Sequence, residues 1–173
     1  MAHTRMSQKK IVLRISLMAV FTALITVSTL VVRIPVPATG GYINIGDAMI
    51  FIVALSFGRA IGGIAGGLGS AIADMIGFPA FAPFTLIIKG FEGYIAGAIA
   101  DGKSFKRDAL GWAAASAVMV AGYFIVEAYI MRLGIAASMV EIPGNLFQVI
   151  FGGIIGIPIS RLIRRRIMNF FRM

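Results

Sequence analysis

The residues able to do chemistry in this chain are few, and most of them fall inside apolar stretches. Lys89 and Glu92 stand three apart, so a helix sets them on one face. Counted from Pro83 at 1.5 Å per residue, Lys89 lies about 9 Å and Glu92 about 13 Å along that helix. A charge at the centre of a bilayer costs at least about 2.5–3.5 kcal/mol, so each such residue needs a reason. Glu127 falls near the end of the next apolar stretch, and Asn145 and Gln148 share a face near the start of the last one. Asn44 and Asp47 stand where a loop enters a short apolar segment, and Asp74 closes another. Mutual ion pairing is the plain account of the charged residues, and helix capping is the plain account of Asp47 and Asp74. Three successive segments nevertheless bring Lys89, Glu92, Glu127 and Asn145 to similar depth. The expectation is a pocket that draws on Asn44, Lys89, Glu92, Glu127, Asn145 and Gln148. Tyr42, Phe78, Phe81, Phe84 and Tyr123 offer stacking surfaces beside it. Donors and acceptors without a phosphate-sized basic cluster suit a small polar ring compound.

Several chemistries are excluded. There is no cysteine, and the sole histidine is His3. Thiolate metal sites, histidine-based metal sites and histidine-assisted catalysis all lack their residues, so no metal and no catalytic group is expected. Ser70 has no base partner. No Walker A sequence is present, so ATP hydrolysis by this route is not the chain's own work. No cofactor is expected, and the chain does not read as an enzyme.

The elements that must hold these residues are membrane helices. Of 173 residues, 59% are hydrophobic and 13% are charged, and the mean hydropathy is +0.94. A soluble domain of this size carries about 25% charged residues. The whole chain, 1–173, therefore reads as one membrane domain, with residues 1–10 and 164–173 as basic cytoplasmic tails. Six apolar segments are predicted: 11–32, 47–57, 60–77, 83–100, 109–131 and 143–163. The second is short for a span of about 20 residues. Pro35 and Pro37 end the first, followed by an irregular loop at Gly40-Gly41. Phe57-Gly58-Arg59 is a tight turn, Gly102 is a helix C-cap, and Pro143-Gly144 opens the last helix.

The net charge of +9 does not mark a nucleic-acid binder, because the basic residues sit in short stretches between apolar segments. Thirteen of the 16 basic residues fall on one side of a six-span plan. They are Arg5, Lys9, Lys10, Arg14, Arg59, Lys103, Lys106, Arg107, Arg161, Arg164, Arg165, Arg166 and Arg172. That asymmetry places both termini in the cytoplasm, leaving the polar pocket to open outward. The first segment is too long for an ordinary secretory signal. Gly62/Gly66 and Gly63/Gly67 form small-xxx-small rows, as do Gly93/Gly97 and Gly152/Gly156, and these predict close helix packing. Ala19 and Ala23 have the same spacing, which serves either internal packing or docking of another membrane protein.

In this ordered set the chain resembles the substrate-binding S components of energy-coupling factor (ECF) vitamin transporters. The resemblance rests on the six-span plan, Ala19-x-x-x-Ala23, Asn44-Ile45-Gly46-Asp47-Ala48, the Gly66–Asp74 stretch and Pro83–Gly93. It implies a six-helix, all-α membrane bundle in the cell membrane that captures a small vitamin or precursor from outside. Partners implied are a transmembrane coupling T component and two cytoplasmic ATPase subunits, which would use the ATP. Ala19 and Ala23 match the docking face. The Lys89-Gly90-Phe91-Glu92-Gly93 helix looks most like members associated with hydroxymethylpyrimidine or pyridoxine, with riboflavin, thiamine and pantothenate left open. A self-sufficient proton- or ion-coupled transporter is the alternative reading.

Overall fold

The structure is a computed structural model that describes the backbone of residues 2–170 and the side chains of residues 8–166. Arg5, Arg172 and His3 therefore have side chains outside the described residues. Six α-helices follow one another: α1 (Ala2–Val31), α2 (Gly46–Phe57), α3 (Arg59–Gly77), α4 (Ala82–Ile99), α5 (Phe105–Ile125) and α6 (Ile135–Phe170). A π-helical turn, Val126–Ile130, extends α5, and two short strands, β1 (Arg33–Val36) and β2 (Gly41–Asn44), join α1 to α2. The expected all-helical membrane bundle is present, with this hairpin as an addition.

Four helical stretches, in α1, α3, α5 with its π turn, and α6, are long and apolar enough to cross a membrane. Lys89 and Glu92 lower the hydropathy of the 18-residue α4, and α2 has only 12 residues. Helix α2 manages with this length because protein rather than lipid surrounds it. Ile50, Phe51, Val53 and Ala54 are fully buried. Phe51, Ala54 and Leu55 join one core cluster with residues of α4, α5 and α6. Ile50 and Val53 join a second cluster with Ile25, Ile61 and Ala65 of α1 and α3. A segment enclosed by other helices meets no hydrocarbon at its ends and need not span it.

The α3–α4 contact is set by glycine. A β-carbon at Gly62 would lie 2.9 Å from the carbonyl oxygen of Gly93, and one at Gly67 would lie 2.7 Å from that of Leu86. Both helices therefore touch backbone to backbone, as the small-residue rows predict. Gly152 and Gly156 do the same for α6 against Phe51 of α2. This seam fixes the depth and rotation of α4, and with them Lys89 and Glu92.

Three local expectations are corrected. The stretch after α1 is a regular antiparallel hairpin, with Arg33 opposite Asn44 and Val36 opposite Gly41. Gly40 takes φ +71°, the left-handed conformation the turn needs, and donates its N–H to the Val36 carbonyl. Helix α6 begins at Ile135, so Pro143 lies inside it. The reversal happens earlier, at Arg132 (φ 57°) and Gly134 (φ 90°), and the Ser138 N–H reaches the Gly134 carbonyl at 3.2 Å. Helix α4 ends at Ile99, and Ala100 rather than Gly102 is its C-cap. Gly102 (φ 73°) shapes a turn in which Asp101 accepts the Lys103 and Ser104 N–H groups.

The basic residues gather at one end. Arg59 opens α3 beside Gly97 of α4, Arg107 donates to the Ile99 carbonyl, and Arg164 packs on Gly102. Asp108 pairs there with Arg161 and Arg164. By the positive-inside rule this end faces the cytoplasm. The hairpin and the polar residues lie at the other end.

Candidate functional site

The outward end encloses a cavity of about 430 Å³, its open mouth included. Each wall comes from a different element. Helix α4 contributes Thr85 and Lys89, one helical turn apart, with Phe81 just before it. Helix α3 contributes Ser70 and Asp74, α5 contributes Met119 and Tyr123, and α1 contributes Thr29. The hairpin closes the mouth with Gly41, Tyr42 and Asn44. Helix α6 presents Glu141, Asn145 and Gln148, whose spacing of four and three residues places them on one face.

Of the residues expected from the sequence, Asn44, Lys89, Asn145 and Gln148 line this cavity. Their amides form a chain. Gln148 Nε2 donates to Asn145 Oδ1 at 2.9 Å, and Gln148 Oε1 accepts the Asn44 backbone N–H at 2.8 Å. These bonds tie the hairpin to α6. Glu92 and Glu127 do not line the cavity. Both are fully buried behind its wall. Glu92 lies 3.1 Å from Lys89 Nζ, and Asp47 pairs with the same ammonium from the α2 side. Asp47 makes no capping hydrogen bond, so its place in the first turn of α2 is set by this ion pair. Lys89 thus presents to the cavity an ammonium that two carboxylates already hold. Its Nζ also lies 5.6 Å from the Tyr123 ring centroid.

Asp74 belongs to the site rather than to a cap. It accepts the Tyr42 hydroxyl. Burial, together with the Asp74 carboxylate, pushes the Tyr42 phenol well above its ordinary value, so Tyr42 stays protonated and donates. Phe78 stacks on Tyr42 with centroids 4.6 Å apart. The Arg33 guanidinium sits 4.7 Å over the same ring while donating to the Ala73 carbonyl at 2.7 Å. The hairpin is therefore clamped to the outer end of α3. Of the other aromatics expected here, Phe81 and Tyr123 line the cavity, whereas Phe84 packs into the core.

Sequence reasoning missed Glu141. With Pro143 taken as the start of the last helix, Glu141 falls in a loop. Because α6 begins at Ile135, Glu141 lies on the helix, buried, and accepts the Thr39 hydroxyl of the hairpin turn. Gly41 packs against it so closely that a β-carbon there would lie 2.5 Å from Glu141 Oε1. A readable signal existed: Glu141, Asn145 and Gln148 form an i, i+4, i+7 polar stripe in an apolar stretch. Thr29 and Thr85 gave no such signal, since a threonine in a membrane helix commonly satisfies itself on a preceding carbonyl, as Thr29 does on Ile25.

Among the described residues, no three histidine, cysteine, aspartate or glutamate side chains are grouped to hold a metal ion. The arrangement offers carboxylate and amide acceptors, amide and hydroxyl donors, and aromatic faces. That is equipment for binding and orientation. Ala19 and Ala23, by contrast, are exposed on α1, on the face turned away from Ile25 and Thr29, which are buried against the bundle.

Comparison with known proteins supplies the context. The profile of the family described as "ECF-type riboflavin transporter, S component" matches residues 8–165. A Pyrococcus woesei protein described as "Uncharacterized protein in gap 3'region" is 45% identical over 144 residues, covering 83% of this chain and 96% of that protein. A Lactococcus lactis subsp. cremoris protein named "Thiamine precursor transporter HmpT" is 32% identical over 171 residues, covering 97% of this chain and 98% of that protein.

Proposed function

The chain belongs to the family of S components of ECF-type transporters, and we propose that it binds a hydroxymethylpyrimidine-like heterocycle in the outward cavity for import. Membership makes it a multi-pass plasma-membrane transport component that handles a vitamin or precursor, not an enzyme. It also implies a T component, ATPase partners and a vitamin ligand. The finer reading concerns which ligand, which residues and how the partner docks.

One observation carries the ligand assignment. The cavity combines carboxylates of Asp74 and Glu141 with the amides of Asn145 and Gln148, between Tyr42, Phe81 and Tyr123. An aminopyrimidine has an exocyclic amine to donate, ring nitrogens to accept and a flat face to stack. Its polar edge suits the acid and amide wall, and its ring suits the aromatic one. The relative named a thiamine precursor transporter supports the same choice. Pyridoxine, another single-ring heterocycle, is the nearest competitor.

In this reading Asn44, Lys89, Asn145 and Gln148 contact or frame the ligand, and Glu92 and Glu127 act from behind the wall. The protein needs no cofactor of its own. The T component docks on the exposed face of α1 through Ala19 and Ala23, and two ATPase subunits use ATP to complete an ABC-type import cycle.

Mass spectrometry of small molecules retained by gently purified protein tests the ligand, followed by calorimetric titration with hydroxymethylpyrimidine, pyridoxine, thiamine and riboflavin. Stoichiometric hydroxymethylpyrimidine is the expected result. A protein that retains and titrates none of the four would overturn the reading. The docking face has its own test. Ala19→Trp combined with Ala23→Trp should abolish uptake in cells while leaving ligand affinity unchanged. Normal uptake by that variant would remove the docking role, and uptake that persists without any ATPase module would favour a proton- or ion-coupled carrier.

A further inference from the structure

The acid groups around the cavity outnumber the bases, and among the described residues no free base lines its interior. Lys89 is the one cationic side chain among the lining residues, and Asp47 and Glu92 already hold it. Arg33 is occupied on the outer side, by the Ala73 carbonyl and the Tyr42 and Phe78 rings. Against these stand Asp74 and Glu141, both buried and both on the cavity wall. Behind Glu141 lies Glu127, fully buried, with Glu141 as its neighbour.

Helix ends do not make up the deficit. A helix N-terminus attracts anions through N–H groups left free in its first turn. At the start of α4, beside the cavity, the Ala82 N–H is bonded to Pro79, and the Phe84 and Thr85 N–H groups are bonded to Phe81. Pro83 has no N–H to give. At the start of α2 the Gly46 N–H is taken by Asn44 Oδ1, and Asp47 adds a negative charge. A phosphate ester brought here would meet carboxylates and no free charge-assisted donor.

We propose that this site selects the unphosphorylated, neutral or cationic form of its heterocycle and rejects the phosphate ester, with Glu141 as the specificity-determining residue. The inference rests on the outward cavity being the vitamin site. Glu141 accepts the ligand's N–H edge, and Thr39 holds its carboxylate from the hairpin turn. Asp74 adds its carboxylate to the negative field at the cavity wall. The same field that favours an amino or protonated ring edge opposes a phosphate.

The test is a paired titration of the purified full-length protein in detergent. Each of hydroxymethylpyrimidine, pyridoxine, thiamine and riboflavin is measured against its own monophosphate ester. For the vitamin that binds, the ester is expected to be at least about 100-fold weaker. Glu141→Gln should weaken the parent vitamin roughly tenfold or more and should narrow the gap to the ester, because a repelling charge is gone. A purely structural role for Glu141 would weaken both ligands alike. An ester that binds as well as its parent would overturn the proposal, as would an unchanged gap in Glu141→Gln. If pyridoxine, thiamine or riboflavin binds over its ester while hydroxymethylpyrimidine does not, the ligand assignment fails and the charge selectivity stands. If nothing binds, both fall.

Discussion

Two buried charge clusters lie at opposite ends of this bundle, each pairing acids with bases, and they are put to different use. At the cytoplasmic end one carboxylate, Asp108, sits between Arg161 at 2.9 Å and Arg164 at 2.6 Å, and Arg164 also donates to the Leu55 carbonyl. There bases outnumber acids. The long arginine side chains reach toward solvent, with Arg161 about a quarter exposed. At the outward end one ammonium, Lys89, sits between Asp47 and Glu92, and further buried carboxylates lie at the same end in Asp74, Glu127 and Glu141. There acids outnumber bases, and the cluster borders a cavity. The cytoplasmic cluster ties α2, α5 and α6 together at a basic membrane surface. The outward cluster holds a wall in place and leaves a surplus of acceptors facing an enclosed space. Burial of charge alone does not separate a structural cluster from a site. The sign of the surplus, and whether it faces a cavity, does.

The largest effect is expected at Lys89. Lys89→Met strands Asp47 and Glu92 without a cation and should cost about 3–5 kcal/mol, read as lowered thermal stability in detergent. Adding Asp47→Asn and Glu92→Gln to that variant should restore most of the loss. A single variant that melts like the parent protein would show that the cluster does not brace the wall. Asp108→Asn should cost somewhat less, about 2 kcal/mol, because Arg161 already reaches solvent and regains hydration. Ligand affinity should stay unchanged in that variant. A fall in affinity would erase the division of labour between the two ends. The smallest stability effect is expected for Asn145→Ala, within about 1 kcal/mol, with affinity reduced about tenfold through loss of the Asn145–Gln148 amide pair. Unchanged affinity there would move the amide chain to the structural side of the comparison.

The framework of this molecule was legible because its physics is local. Spans follow from apolar length, orientation from the placement of Lys and Arg, and the α3–α4 seam from glycine spacing. The tight turn at Gly58 (φ 85°) is of the same kind. Half of the candidate site was legible as well, since Lys89, Asn145 and Gln148 are costly residues in apolar helices. What escaped was set by tertiary partners. Asp47 reads equally as a cap or as an ion-pair partner until α2 is seen against α4. The residues before Pro143 read as loop because proline so often begins a helix, and Glu141 was lost with them. The hairpin that positions Tyr42 and Asn44 has only four residues per strand, with proline in one of them, too little pattern for a strand to announce itself. Glu92 and Glu127 were legible as buried charges, but the sequence does not say which side of a cavity wall a helix turns toward.

The most direct test of the central claim, that the outward cavity is the vitamin site, is hydrogen–deuterium exchange of the full-length protein with and without its bound vitamin. Protection is expected in the hairpin around Gly41–Asn44, in the first turns of α4 and in the outer part of α6 around Glu141–Gln148, with the Asp108 end unchanged. Protection confined to the cytoplasmic end, or none at the hairpin while the vitamin is bound, would contradict it.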